Sequence, residues 1–165
     1  MDAISESRLA EVHPLLASKI RQMADTLAQS GVTIRVTQGY RSWTQQLALW
    51  LKGRDRTGAV VDKSQVVTNA QPGHSWHNFG LAVDVAPMDN TGQPDWDVNH
   101  PVWKQIVAVG ESLGLVAGAE WRTFPDFPHF QLTGKFPVSP DWEARRMLKD
   151  SGVSAIWKES GLEEA

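Results

Sequence analysis

The stretch that decides the fold is GHSWHNFGLAVDVA, residues 73–86. Its last six residues, 81–86, alternate in a way that predicts a strand whose side chains point to two faces. One face is apolar and can pack on helices, whereas the other carries Asp84 between two alanines. A carboxylate in an otherwise apolar strand is costly to bury unless it is paired or binds a cation. His77, which precedes the strand, could fold back to share an ion with Asp84, but a structural Asp–His hydrogen bond explains this spacing equally well.

Upstream of this stretch the chain predicts helices and one strand. Apolar residues recur at helical spacing over residues 9–27, and Pro14 divides them into a short turn and a longer helix. Strict alternation over residues 32–37 predicts a half-buried strand. Residues 42–45 have the spacing of a capping box, which predicts a helix that ends near Gly53.

Downstream, predicted helices and a strand are separated by polar loops. The loops cover residues 54–75, with room for a short strand or hairpin, and residues 88–99. The other predicted elements are a helix over 101–113, a strand over 124–132 broken by Pro125 and Pro128, and C-terminal helices from Ser139 to about Asp150 and from Ser154 to Glu159. This mixture of separate strands and helices predicts an α+β fold.

Length and composition limit the domain number, the partners and the location that we expect of this protein. The 165 residues fit one domain, with a predicted core at about 8–135 and a helical tail at 139–160. The net charge of −3 argues against nucleic acid as a partner, and we expect a monomer. No run of about 18 apolar residues predicts membrane insertion, and no signal peptide is recognised at the N-terminus. We therefore expect a protein that is made in the cytoplasm and reaches any outside target by another route.

The absence of cysteine leaves histidines and carboxylates as the candidate metal ligands. Of the five histidines, His13 and His100 are expected to be structural or solvated. On a regular strand Asp126 and His129 would face opposite ways, but Pro128 makes a bend plausible. With that bend His129 could complete a His–Asp–His set and Asp126 could stand beside an open fourth position. Three protein ligands with one open position are typical of a catalytic zinc site.

Two further residue patterns bear on catalysis. Arg41 lies between a predicted strand and a capped helix, where it could stabilise an oxyanion or bind a substrate carboxylate. A surface salt bridge is the simpler interpretation of a lone arginine. A serine hydrolase built from Ser75, His74 and Asp84 is disfavoured, because nothing like a nucleophile elbow surrounds the serine.

Together and in this order, these segments resemble the zinc peptidase family of bacterial D-alanyl-D-alanine carboxypeptidases and phage L-alanyl-D-glutamate endopeptidases. The family signature Ser-x-His-x-x-Gly-x-Ala-x-Asp matches residues 75–84 at every fixed position. The Tyr-Arg-Ser segment at 40–42 and the acidic-x-x-His segment at 126–129 match as well. The opening residues 12–15 and Gln46 look like the endopeptidase branch, so the resemblance covers roughly residues 8–132.

The resemblance implies a role for each matched site residue. A zinc ion would be held by His77, Asp84 and His129. Asp126 would be the general base, and Arg41 would polarise the scissile carbonyl and stabilise the oxyanion. Several carboxypeptidase members have Glu where Asp126 stands, and this difference favours the endopeptidase branch.

The resemblance also implies a fold and a substrate. The fold is a small antiparallel sheet packed with helices, as in DD-peptidase and hedgehog-like zinc peptidases. The substrate is the stem peptide of bacterial peptidoglycan, cut at its L-Ala–D-Glu bond, with Ser75 and Tyr40 assigned to substrate binding. An endolysin of this type accumulates in the host cytoplasm and acts on the cell wall after release.

Two alternatives stay open at this point. One is a D-Ala-D-Ala carboxypeptidase or dipeptidase, and the other is a non-catalytic relative that uses the metal and fold to bind a cell-wall or protein partner. No separate cell-wall-binding domain is predicted after residue 135. The tryptophans of the tail, Trp142 and Trp157, are expected to pack on the domain, with carbohydrate binding as the alternative.

Overall fold

A four-stranded antiparallel sheet forms the centre of the computed structural model, which describes residues 1–163. The strands are β1 (Ile34–Gln38), β2 (Ala82–Pro87), β3 (Val116–Ala117) and β4 (His129–Gln131), in the order β1-β2-β4-β3. In the described residues, five α-helices surround them: α1 (Ala3–Leu9), α2 (Pro14–Ala28), α3 (Trp43–Trp50), α4 (Val102–Ser112) and α5 (Trp142–Ser160). The predicted α+β fold is confirmed.

The main core lies between the sheet and the helices α2 and α4. The apolar stripe of α2 is buried as its spacing predicts, with Leu16, Ile20, Met23 and Leu27 all inaccessible to solvent. From α4, Trp103 and Ile106 enter the same cluster. These side chains cover the apolar face of β2, so the opposite face is left for polar residues.

The helix α1 completes the exposed edge of β1. The Ser5 hydroxyl accepts from the Val36 backbone N–H at 2.9 Å, and a guanidinium nitrogen of Arg8 donates to the Val36 carbonyl oxygen. Both backbone groups face away from β2 and would otherwise need water or another chain. The folded chain therefore begins to pack at Ala3, upstream of the predicted core boundary at residue 8.

Several predicted boundaries differ from the structure. Ser42 and Gln45 do form the predicted capping box of α3. The prediction that Ser139–Pro140 opens the next helix is wrong, because the Asp141 carboxylate is the N-cap of α5. The two predicted C-terminal helices are present within α5, on either side of Gly152, whose φ of 76° and ψ of −177° break the helical backbone between them.

The predicted strand over 124–132 is much shorter in the structure. Only His129–Gln131 pair with β2, because the segment around Pro125 and Pro128 cannot supply a regular hydrogen-bond ladder. The sequence pattern did not predict β3, a two-residue strand that pairs with β4. Within residues 54–75, where the sequence left room for a short strand or hairpin, the structure has an isolated antiparallel bridge between Arg54 and Val60.

A second apolar cluster joins α5 to the 3-10 helix Trp76–Phe79, which lies within residues 73–86. The Trp157 indole N–H donates to the Phe79 carbonyl at 2.8 Å, and its ring lies against Gly80. Trp157 also meets the ring of His13, a buried residue that caps α2. None of the helices in residues 1–163 is both long and apolar enough to cross a bilayer.

Candidate metal centre

The polar face of β2 is where the candidate site forms. Asp84 lies directly opposite His129, the first residue of β4. His77 belongs to the 3-10 helix that precedes β2, and Gly80 ends that helix with a φ of 66°. A side chain at Gly80 would be strained and would also approach the Trp157 ring to 3.0 Å. This turn folds His77 back over Asp84.

The three side chains converge on a single carboxylate oxygen. Asp84 Oδ1 lies 3.1 Å from His77 Nε2 and 3.4 Å from His129 Nδ1. One ligand atom from each residue falls within 4.8 Å of the others, which is the only such group found in residues 1–163. The structure therefore brings together the three residues that the sequence nominates as metal ligands.

Each histidine ring has one nitrogen that faces Asp84 and one outer nitrogen that points away from it. The hydrogen bond of the outer nitrogen determines whether the inner nitrogen presents a lone pair to Asp84. His77 Nδ1 lies 2.8 Å from the Gly39 carbonyl oxygen, which can only accept, so this nitrogen carries the proton of a neutral ring. His129 Nε2 lies 3.0 Å from Gln131 Oε1. The amide of Gln131 is oriented by its own donation to the Val138 carbonyl at 2.9 Å.

These bonds leave two lone pairs and a carboxylate oxygen directed at one point. Such an arrangement is repulsive unless a proton or a cation is shared among the three atoms. Ring nitrogens and a carboxylate oxygen are donors that a divalent transition metal accepts, and ligand histidines commonly donate their outer N–H to an oxygen. The donor set of His77, Asp84 and His129 therefore fits a metal ion.

Arg41 lies in the same site and is buried, with 9% of its surface exposed. One guanidinium nitrogen lies 3.4 Å from Asp84 Oδ2, and another donates to Gln46 Oε1 at 2.9 Å. Burial lowers the pKa of Arg41, against the charges of Asp84 and Asp126, but an arginine stays protonated at neutral pH. The interpretation of Arg41 as a surface salt bridge is therefore wrong.

The two carboxyl groups of the site differ in pKa. Burial raises the pKa of Asp84, but His77 and His129 outweigh it and hold the pKa well below its usual value. Burial, and then the charge of Asp84, raises the pKa of Asp126. One carboxylate thus stays ionised while the other takes up a proton more readily, which is a pattern of acid–base sites.

Asp126 is positioned by backbone hydrogen bonds rather than by a strand. Its N–H donates to the Gly118 carbonyl at 2.9 Å, and its carbonyl accepts from the His129 N–H at 3.2 Å. The resulting bend before β4 places Asp126 and His129 in one cleft, as the proline-bend hypothesis expects.

All five predicted metal and catalytic residues line this cleft, which has a volume of about 990 Å³. Ser75 and His74 line it too, together with the aromatic side chains of Trp96, Trp121 and Phe124. Tyr40, which the resemblance assigns to substrate binding, does not line it and instead lines a neighbouring groove.

Two residues that support the site were missed from the sequence. Gln131 orients His129, and the period-two alternation of β4 could have revealed it, because both side chains point to one face. Gly118 lies under the catalytic segment, where a Cβ atom would come within 2.7 Å of the Asp126 carbonyl oxygen. No local sequence pattern distinguishes this glycine, because the contact depends on how the strands assemble.

Comparisons with known proteins identify the family and the fold. Residues 9–117 match the VanY family, described as D-alanyl-D-alanine carboxypeptidase. The chain is 29% identical over 130 residues to the peptidoglycan L-alanyl-D-glutamate endopeptidase CwlK of Bacillus subtilis (strain 168), covering 74% of each protein.

Solved structures show the same relationship. The Serratia marcescens L-Ala D-Glu endopeptidase ChiX is 32% identical, with a TM-score of 0.56 over 81% of this chain and 89% of that one. A vancomycin-resistance D,D-pentapeptidase VanY in complex with Zn(II) has a TM-score of 0.52 over 90% of this chain and 83% of its own. At 18% identity that second structure shows the shared fold.

Proposed function

The chain belongs to the VanY family of D-alanyl-D-alanine carboxypeptidases, and from this premise we propose that it is a zinc-dependent endopeptidase that cuts the L-Ala–D-Glu bond of peptidoglycan stem peptides. Homology supports the coarser statement, a peptidase that hydrolyses peptidoglycan. The likeness to ChiX over most of both chains favours the L-Ala–D-Glu bond. We further propose that the enzyme acts as a monomer.

The observation that carries the metal-dependent chemistry is the His–Asp–His group with both outer ring nitrogens bonded to oxygens. We propose zinc as the ion, held by His77, Asp84 and His129. Its binding in the VanY structure supports this choice. When bound, zinc polarises a carbonyl group and makes water a better nucleophile at neutral pH.

The side chains of the chain itself supply the proton transfer and charge stabilisation. Asp126 accepts the proton of the attacking water and passes it to the leaving amine. Arg41 stabilises the negative charge that develops on the carbonyl oxygen. Its Nε is buried without an acceptor among the described residues, and an unpaired buried donor is costly until a substrate oxygen satisfies it.

Mass spectrometry of digested peptidoglycan tests the proposed bond. We expect products with a new D-Glu amino terminus and muropeptide remnants that end in L-Ala. The family match itself favours a second candidate, a D-Ala-D-Ala carboxypeptidase. Release of free D-Ala without cleavage after L-Ala would establish that candidate instead.

An Asp126→Ala variant tests whether the protein is a catalyst. We expect kcat to fall by about 10²–10⁴ with zinc still bound, because a general base contributes about this much. The matched control is Asp25→Ala, which removes an exposed carboxylate from α2. If Asp126→Ala retains its full function, the protein is a non-catalytic binder of cell-wall material.

We also propose an endolysin-like role, in which the enzyme degrades the wall once it has been released from the cytoplasm of a phage host. The signature at residues 75–84 and its resemblance to phage endopeptidases support this role. Added to cells with a permeabilised outer layer, the purified enzyme should lower turbidity, and Asp126→Ala should not. Activity on isolated stem peptides without any effect on whole walls would contradict a lytic role.

A further inference from the structure

A second groove adjoins the catalytic cleft. It has a volume of about 1100 Å³ and lies between the start of α3 and the first half of α5. His74, three residues before the metal ligand His77, lines both the cleft and this groove. A substrate that occupies the cleft can therefore extend into the groove.

Two exposed tryptophans border the groove. Trp43 is 57% exposed and Trp142 is 61% exposed, although large aromatic side chains are usually buried. The Trp43 ring lies over Gly73, where a Cβ atom would come within 2.9 Å of it. The Arg146 guanidinium lies 4.8 Å from the centre of the Trp142 ring. Of the two tail tryptophans, Trp157 packs on the domain as expected, whereas Trp142 does not.

Positive charge is concentrated along the same groove. Arg145, Arg146 and Lys149 line it, and none of them forms an ion pair within residues 1–163. Among residues 1–163, Asp150 is the one carboxylate that lines it. Because the chain as a whole carries a net charge of −3, this excess of positive charge is local.

Arg145 lies where the groove meets the cleft. Its guanidinium donates to the Pro140 carbonyl at 2.7 Å, and its aliphatic part lies near Gly73. Burial, and then the nearby charge of Arg145, lowers the pKa of His74. An anionic group in the groove would therefore be close to a substrate held in the cleft.

We propose that this groove binds a carboxylate of the same stem peptide whose scissile bond lies in the cleft, an inference that rests on the proposed function. D-Glu has two carboxyl groups, of which a linear peptide uses one, and the stem ends in another. Guanidinium groups recognise carboxylates through paired hydrogen bonds. A neutral glycan strand could stack on the tryptophans, but it offers no negative charge to the three cations, which have no anionic partner within residues 1–163, so charge complementarity favours the carboxylate.

Two synthetic peptides test the proposal. Both begin with acetyl-L-Ala-D-Glu and continue for two residues; one has free carboxylates on D-Glu and at its end, and the other has both amidated. The test variant is Arg146→Gln with Lys149→Gln, two exposed side chains with no hydrogen bond to the rest of residues 1–163. We expect the KM of the acidic peptide to rise about three- to tenfold, with kcat unchanged, because uniform binding is lost.

The KM of the amidated peptide should not rise in the variant. For the acidic peptide, added salt should reduce the difference in KM between the variant and the wild type. Lys158→Gln, an exposed lysine on the same helix that does not line the groove, is the matched control. An equal rise in KM for both peptides would overturn the proposal. So would a loss that appears only when the peptide carries its disaccharide, which would assign the groove to glycan.

The proposed function can fail separately. If the wild-type enzyme releases D-Ala and leaves the L-Ala–D-Glu bond intact, the endopeptidase assignment is wrong. The groove is then tested by direct binding: the Kd of the acidic peptide should rise in the Arg146→Gln, Lys149→Gln variant and that of the amidated peptide should not, because neither peptide contains a D-Ala-D-Ala bond to be cut. A wild-type enzyme that treats both peptides alike overturns the groove proposal even if the L-Ala–D-Glu bond is cleaved.

Discussion

At the scale of single residues, the outer hydrogen bonds of the histidines decide whether the site can hold an ion. Gln131 accepts from His129 and donates to Val138, so the amide fixes both the tautomer and the orientation of the ring. In Gln131→Leu both bonds are lost while the volume is nearly kept. We expect zinc affinity to fall about 10- to 100-fold, as for other ligands that lose their outer partner.

Competition with a chromophoric chelator measures this affinity directly. The control is Gln105→Leu, which makes the same chemical change on α4, where Gln105 bonds to Ser30. We expect that variant to bind zinc like the wild type. Equal affinity in Gln131→Leu would mean that packing alone orients His129.

The limits of prediction are also clearest at single residues. His77 and Asp84 are separated by one glycine turn, so their meeting follows from local spacing, although local spacing did not separate an ion from a plain hydrogen bond. His129 joins them through the pairing of β2 with β4, which no local pattern contains. The bend at Pro128 made that contact a hypothesis, and the resemblance turned it into a prediction. Gln131 and Gly118 were missed because their roles arise only when distant segments meet.

At the scale of elements, the turn after β3 supports the catalytic segment. A Cβ atom at Gly118 would come within 2.7 Å of the Asp126 carbonyl oxygen and 2.9 Å of the His129 Cβ atom. Both distances are too short, so Gly118→Ala must displace the segment that carries Asp126, the proposed base, and His129, a proposed metal ligand. We expect kcat/KM to fall by at least about tenfold, since small misplacements of catalytic groups cost this much or more.

Gly31→Ala is the control for this prediction. It places a side chain at a φ of 79° but meets no atom within 4 Å, so it costs stability without moving the site. Activity assays and thermal unfolding of both variants separate the two effects. A Gly118→Ala enzyme whose loss of activity is no greater than that of Gly31→Ala would contradict the supporting role.

The stabilisation that Asp2 gives to the contact between α1 and β1 should depend on pH. Burial raises the pKa of Asp2, but the Ser5 backbone N–H and the Arg35 guanidinium outweigh it and lower the pKa from 3.8 to about 2. A lowered carboxyl pKa stabilises the fold above the unfolded value, and this stabilisation is lost as the pH falls from about 4 to 2. Asparagine can still cap α1, so Asp2→Asn removes the charge alone.

We expect Asp2→Asn to lower the free energy of unfolding by about 1 kcal/mol at pH 7, a value already reduced for solvent screening. Urea unfolding at pH 7 and near pH 2 measures the difference between variant and wild type, which should vanish at the lower pH. Asp25→Asn, an exposed carboxylate without an ion pair in the described chain, should show neither effect. A difference that persists at pH 2 would assign the effect to the cap.

The helices α2 and α3 were predicted well because their signals are local, whereas α1 was not predicted. The stripe of α2 and the capping box of α3 depend on side chains within one or two turns. Strands were predicted less well. The ends of β4 depend on which residues β2 can pair with, and β3 exists only through its pairing with β4.

At the scale of the whole molecule, two apolar clusters hold the site between them. The larger lies under the sheet, and the smaller joins α5 to the 3-10 helix that carries His77. The segment of His77 is held by the smaller cluster, and the segment of His129 is held by the larger one. Asp84 lies on β2, between these two segments. An ion shared by these segments acts as a cross-link that the unfolded chain cannot form.

Zinc should therefore stabilise the fold as a whole. At a free concentration about 100-fold above Kd, binding contributes about 2.7 kcal/mol, which for a chain of this length corresponds to a rise in Tm of about 5–10 °C. A chelator should reverse the rise, and Asp84→Asn should largely remove it, because the negative charge of the shared carboxylate is lost while the side chain keeps its shape. Calorimetry of the wild type and Asp84→Asn, with and without zinc, checks both expectations. A rise in Tm that survives in Asp84→Asn would place the stabilising ion elsewhere on the molecule.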